Sequence, residues 1–299
     1  MPAHNSRILS TRDLWLLGLL TLTWGLNWPV LKIGVAEVEP MTFRAVSMVL
    51  GVPLLFLVVR LRGLRIAVPR EHWRELGLLA LTNMVGFVVL SMYGVKFLSS
   101  GRAVTLGYTM PIFTALIGFA FFGERASLRL WLGVAAAAAG VALLLWREIG
   151  AITGSPAGTM FMLAGAAVWG LGTQFMRRRR QTTPVLVIAF WSLLISLAVC
   201  ATLALLLERR SWTHLPNRSG WLAIGYNAVV VFGFSQVMWF RLATILPPVV
   251  SSLSVMFIPV IGVFSGMVIL GERPAWQDYA ALVSILMAIM AVLRPTRRG

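Results

Sequence analysis

Residues 109–146 read TMPIFTALIGFAFFGERASLRLWLGVAAAAAGVALLLW, two apolar runs joined by a short charged turn. The second run, and the first when it is counted from residue 103, is close to the roughly 20 residues that cross a hydrocarbon core about 30 Å thick at about 1.5 Å per residue. A globular interior does not need two such helices in succession, so the stretch reads as a transmembrane hairpin. Its turn, Gly123-Glu124-Arg125, returns as Gly271-Glu272-Arg273 at the end of another apolar run. With only 10 acidic residues in 299, a repeated Glu in matching surroundings calls for a cause.

The rest of the chain follows the same pattern. It is 59% hydrophobic and 12% charged with a mean hydropathy of +0.85, whereas soluble domains carry about 25% charged residues. Apolar runs lie near 13–34, 40–59, 76–97, 103–122, 129–146, 157–176, 184–207, 221–241, 248–270 and 276–293. The expected fold is therefore an all-α polytopic membrane protein of ten transmembrane helices. The net charge of +16 points to nucleic acid only until its distribution is read. With the amino terminus in the cytoplasm, 17 of the 26 basic residues fall in cytoplasmic segments, led by the run Arg177-Arg178-Arg179-Arg180. That bias orients the chain, and an even number of spans puts both termini inside.

Other chemistries are excluded quickly. The first span is too long for a signal peptide and lacks a small-residue cleavage site. Cys200 is the only cysteine, His4, His72 and His214 have no metal-ligand spacing, and neither Lys32 nor Lys96 follows a phosphate-binding glycine loop. No metal, cofactor or nucleic-acid partner is expected. A membrane-embedded lipid-modifying enzyme would need a nucleophile, acid or metal cluster at one surface, and the sequence shows none.

Setting each residue against the one 148 positions later aligns the two GER triplets, Pro111 with Pro259, Trp73 with Trp221 and Gly140 with Ala288. A shift of 145 aligns Trp24-Gly25-Leu26 with Trp169-Gly170-Leu171. The chain thus reads as an internal duplication, with halves at 1–147 and 157–299. Five spans per half is an odd number, so the second half enters the membrane from the opposite side. Inverted repeats suit a transporter, whose two halves form a midplane site and alternate its access. The two GER carboxylates then lie on opposite faces, Glu124 cytoplasmic and Glu272 periplasmic. Both terminate spans and orient hairpins, and neither is expected to bind cargo.

Within the spans three groups of residues stand out. Pro111 and Pro259 remove a backbone donor at matched positions, either as cavity-lining kinks or as packing bends. Trp24, Asn27, Asn83, Phe87, Tyr108, Met110, Trp169, Gln174, Tyr226, Asn227 and Ser254 are polar or aromatic residues at depth. Singly each could be interhelical glue. Together they predict a cavity among spans 1, 3, 4, 6, 8 and 9. In spans five and ten, Gly133, Ala136, Gly140, Ala280, Ser284 and Ala288 are small residues at helical spacing, read as packing and as a possible dimer surface. No Asp or Glu lies near a span centre, and Lys32, Lys96 and Arg102 lie near span ends. The expected cargo is therefore net neutral, and movement is expected without a coupling ion.

Trp24-Gly25-Leu26-Asn27 with Lys32, the P-x11-GER pattern in both halves, and Leu132-Gly133 through Gly140-Val141 together resemble the EamA-type, ten-helix members of the drug/metabolite transporter superfamily. The resemblance covers essentially the whole chain. It implies a bacterial inner-membrane exporter, with aromatic amino acids as a known cargo class of the superfamily and a central cavity at Trp24, Phe87, Tyr108, Met110 and Trp169. Met110 stands where an aromatic residue would suit an aromatic-selective exporter, so neutral amino acids of Met or Thr type are included. Multidrug or other metabolite efflux is the alternative within the superfamily.

Overall fold

The computed structural model describes residues 11–125, 127–150, 155–245 and 248–293, with backbone alone at 148, 150, 240–241, 243–245, 248–255 and 293. Among the described residues there is no strand. Ten long helices run α1 (Thr11–Glu37), α2 (Pro40–Leu61), α3 (Arg70–Phe97), α4 (Ser100–Phe122), α5 (Leu128–Gly150), α6 (Pro156–Arg177), α7 (Val185–Ser211), α8 (Arg218–Trp239, continued to Ile245), α9 (Pro248–Leu270) and α10 (Trp276–Leu293). Seven of them are long and apolar enough to cross a bilayer, and α9 and α10 add shorter apolar stretches. The remaining helix, α6, is diluted by Gly158, Gly165, Gly170 and Gly172. A β-carbon at these positions would press on Phe97, Leu90, Phe113 and Asn83 respectively. Small residues there let α6 lie close against α3 and α4, at the expense of its own hydropathy. This is an all-α, ten-helix membrane protein.

Helix ends follow from local chemistry. Pro156 opens α6 behind Ser155, whose hydroxyl accepts from the Gly158 amide, and Asn217 caps α8 through the Gly220 amide. Each oxygen satisfies one of the amides that a helix start leaves without a partner. The α2 start, at Pro40, is capped from far away: the buried Glu208 carboxylate accepts from the amides of Met41 (3.0 Å) and Thr42 (2.7 Å). Lys32 does the converse at the end of α3, donating to the carbonyls of Val95 (3.0 Å) and Lys96 (2.9 Å), where a cation suits the helix dipole.

The GER triplets have the same backbone in both copies. Gly123 and Gly271 sit at φ +66° and +65°, the left-handed region that glycine enters without penalty. The turn carries the Glu124 amide to the Gly118 carbonyl (3.0 Å) and the Glu272 amide to that of Gly266 (3.3 Å). Each Glu side chain then folds against the same glycine, where a β-carbon would collide with it. Gly118 and Gly266 are themselves 148 residues apart, so the repeated motif is G-x4-G-E-R. Burial alone would raise the Glu124 pKa. The hydrogen bond from Arg178 and the charges of Arg177 and Arg178 outweigh it and hold the carboxyl below its ordinary value.

The small-residue seam joins α5 to α10 within the chain. A β-carbon on Gly133 would stand 3.1 Å from the Ala288 carbonyl oxygen, and one on Gly140 3.2 Å from that of Ala281. A dimer built on these helices would have to use their other faces. One base departs from the reading of loops and span ends. Arg44 lies one turn inside α2, only 6% exposed, and the sequence reading passed over it.

Candidate functional site

The fourth span is two helices, Ser100–Gly107 and Met110–Phe122, broken at Tyr108 and Thr109. Pro111 sits in the first turn of the second piece. In an unbroken helix its ring would strike the carbonyl of residue 107. Gly107 is a weak helix former, and the Thr109 hydroxyl (2.6 Å) and amide (3.1 Å) both donate to the Leu106 carbonyl in a tightened turn. The break rests on α1: a β-carbon at Gly107 would stand 2.9 Å from the Trp28 ring, and Trp28 meets Tyr108 edge-on at 6.4 Å. Pro259 has no such effect, because α9 runs through it as one helix. Its neighbourhood differs in kind, with Val255 standing where the first half has Gly107.

The third and eighth spans share another irregularity. Leu81–Gly86 and Tyr226–Ser235 are π-helical, and the first stretch shifted by 148 falls inside the second. Such widened turns often mark functional sites. Here they carry Asn83 and Met84 in one span, Tyr226 and Asn227 in the other.

The polar candidates fall into two groups. Gln174 is fully buried and tied at both ends of its amide: Nε2 donates to the Thr114 carbonyl (2.6 Å), and Oε1 accepts from Arg178. Asn227 accepts from Arg44 (3.0 Å) and donates to Ala223 (3.1 Å). The Tyr226 hydroxyl donates to the Thr23 carbonyl (2.7 Å). These three hold helices together. By contrast Asn27 Oδ1 and Asn83 Nδ2 are buried atoms with no hydrogen-bond partner among the described residues. An unsatisfied amide group away from water costs about 1–3 kcal/mol, so these two are positioned to receive a polar group from outside the chain.

Asn83 also resolves an asymmetry. At the 145-residue shift the counterpart of Asn27 is Gly172, which has no side chain. A β-carbon on Gly172 would stand 2.6 Å from Asn83 Nδ2. The amide missing from α6 is thus supplied by α3, in the space that a side chain at 172 would take.

The aromatic candidates occupy the seams. Phe87 meets Trp169 at 5.0 Å between α3 and α6, and Trp24 meets Trp239 at 5.4 Å between α1 and α8. With Lys32 joining α1 to α3, Gln174 joining α6 to α4 and Trp28 on Tyr108 joining α4 to α1, these four helices close a ring. The eighth span adds to it at Thr23 and the ninth where Gly25 meets Ile261. Met110 and Pro111 are half-buried beside the break. Ser254 lies outside the described side chains. A cavity of about 930 Å³ lies elsewhere, between the ends of α1 and α7 and the starts of α2 and α8, and holds none of these candidates. Its walls include Val35, Ala204 and Ile224, and its mouth Glu37, Trp212 and His214.

Sequence reasoning missed Arg44, Glu208 and Asp278. Arg44 donates Nε to the Met92 sulfur (3.1 Å) and Nη1 to Asn227, and lies over the Phe232 ring at 5.7 Å. Its partners sit on α3 and α8, so it ties the outer α2 to two ring helices. The signal was a lone Arg inside an apolar run. Among the described residues no group of three His, Cys, Asp or Glu side chains could hold a metal.

Comparison with known proteins agrees with this architecture. The model of the EamA-like transporter family matches twice, over residues 12–146 and 156–294. The uncharacterized transporter YoaV of Bacillus subtilis is 25% identical over 255 residues, covering 85% of this chain and 87% of that one. The uncharacterized inner membrane transporter YedA of Escherichia coli K12 is 27% identical, covering 91% and 88%. A "Probable amino-acid metabolite efflux pump" of Salmonella typhimurium is 27% identical, covering 94% of each chain. A crystal structure at 20% identity superposes with a TM-score of 0.64 over 92% of this chain and 95% of the other, a likeness of fold. The chain belongs to the EamA-like transporter family.

Proposed function

We propose that this EamA-like transporter exports neutral amino acids, aromatic and Met- or Thr-like ones included, across the bacterial inner membrane by alternating access. Two five-helix halves of opposite orientation, 1–147 and 157–299, would form its site, with both termini in the cytoplasm. The observation that carries the reading is a pair of buried amide atoms without a partner among the described residues, Asn27 Oδ1 and Asn83 Nδ2, three and four residues along their helices from Trp24 and Phe87, whose rings meet Trp239 and Trp169. A carboxamide oxygen accepts from an ammonium and its nitrogen donates to a carboxylate. A zwitterion can therefore be held without a formal counter-charge, while its side chain lies on the rings. The Salmonella relative, named a probable amino-acid metabolite efflux pump, supports amino-acid-related cargo.

In the sequence no Asp or Glu falls near a span centre, which supports gradient-driven movement without a coupled proton or sodium ion. Arg44 is a buried cation whose Nε and Nη1 donate to the Met92 sulfur and Asn227, which supports a packing role rather than a phosphate site.

Proteoliposomes loaded with labelled phenylalanine or methionine test the reading. The amino-acid gradient should dissipate with no proton or sodium gradient present. Absence of flux for every amino acid tried would refute it, and resistance of overproducing cells to drugs instead of amino-acid analogues would move the cargo to multidrug efflux. Trp169→Ala should lower flux about tenfold at unchanged expression, because it removes the ring on which Phe87 stands and on which a cargo side chain would stack. Wild-type flux in that variant would take Trp169 out of the site.

A further inference from the structure

We propose that Glu272 and Asp278 form a carboxylate latch on the first half of α4, and that releasing it opens the interior towards the face carrying Ser100. The inference builds on the alternating-access reading and assigns two residues to it. Because α4 is broken at Tyr108 and Thr109, Ser100–Gly107 is a short helix that can swing without carrying the rest of the span. Its first turn is gripped twice, from the connection between α9 and α10 and from the first turn of α10. Glu272 accepts from the amides of Ser100 (2.6 Å) and Gly101 (3.1 Å), and Asp278 pairs with Arg102 Nε at 2.7 Å. Asp278 is itself fixed by Arg147 and by the Ala275 amide (2.7 Å).

The other face shows that this grip is more than a turn motif. Glu124 has the same glycine turn and the same fold-back onto a glycine, 148 residues earlier. Among the described residues it engages no helix start, however, and is bonded by Arg178 Nη2 (2.7 Å) beside Arg177. The helix start that the repeat would offer it begins at Pro248, which has no amide hydrogen. Among the described residues the carboxylate grip on a helix start is therefore found at one face, and the structure has it engaged.

Access can be read without any cargo, so this test stands apart from the amino-acid reading. Thr105 is 2% exposed on the latched segment. A Thr105→Cys reporter in a Cys200→Ser background, with the full chain in nanodiscs, can be timed with a bulky water-soluble maleimide. Glu272→Gln should speed labelling roughly tenfold, as expected for loss of a carboxylate from a helix start, and Glu272→Asp by less. Glu124→Gln should leave the rate unchanged.

Ser100→Pro guards against misfolding of the Glu272 variant. It removes the donor of the 2.6 Å bond at a position where proline fits, after Ser99 at ψ 155°, and should also speed labelling. Unchanged labelling in both variants, or an equal response to Glu124→Gln, overturns the latch. Faster labelling with no amino-acid flux keeps the latch and discards the cargo.

Discussion

Replacing Arg44 with alanine should destabilise the protein by about 3 kcal/mol, the sum of a core cavity and a lost hydrogen bond less the relief of a buried charge. The guanidinium fills the space between α2, α3 and α8, donating to Asn227 Oδ1 and the Met92 sulfur under the Phe232 ring. Alanine leaves that space empty and the Asn227 oxygen without its donor. Arg44→Lys should recover little, since an ammonium cannot present the planar fork that reaches both partners. Arg44→Met keeps most of the volume and should lose roughly 1–2 kcal/mol, chiefly through Asn227. Thermal unfolding of the purified variants in one detergent measures the series. A midpoint for Arg44→Ala equal to that of the unaltered protein would mean that the buried cation contributes nothing net.

Arg44 also shows where reading the sequence stopped. The apolar runs located ten helices because each crossing is a local property of about 20 residues. The duplication was visible because equal turns need equal glycines. What the linear text does not carry is the partner of a polar group when that partner lies far along the chain. Glu208 caps a helix that begins more than 160 residues earlier, and Glu272 one more than 170 residues earlier. Counting charges by loop argues for an orientation but places no side chain. The same limit explains Gln174 and Asn227, which look identical to Asn27 and Asn83 in the text. Only the contacts separate amides that tie helices from amides with an atom left open. Pro111 and Pro259 make the complementary point. The same residue at matched positions breaks one span and leaves the other whole, because Gly107 is seated against Trp28 while Val255 occupies the matched position in α9.

Leucine in place of Asn27 or Asn83 should abolish most transport without weakening the fold. Leucine is close to asparagine in size, so packing changes little. Each substitution also removes a buried polar atom without a partner, which destabilises the empty carrier by about 1–3 kcal/mol. The melting temperature of either variant should therefore equal or exceed that of the unaltered protein. Flux should fall at least tenfold, since each lost hydrogen bond to a charged group of the cargo is worth about 1.5–3 kcal/mol.

Gly172→Ala separates position from chemistry. It deletes no amide, but its β-carbon would stand 2.6 Å from Asn83 Nδ2 and must displace it. Flux should fall in this variant also, and Asn83→Ala in the same chain should relieve the contact with the amide, though not the 2.8 Å approach to Thr82 Oγ1, and so restore part of the stability but not flux. Such a divergence of stability and activity is expected of a binding site kept open at the expense of the fold. If Asn27→Leu and Asn83→Leu instead unfold the protein, or transport at the original rate, the two amides are structural and the cargo is held elsewhere.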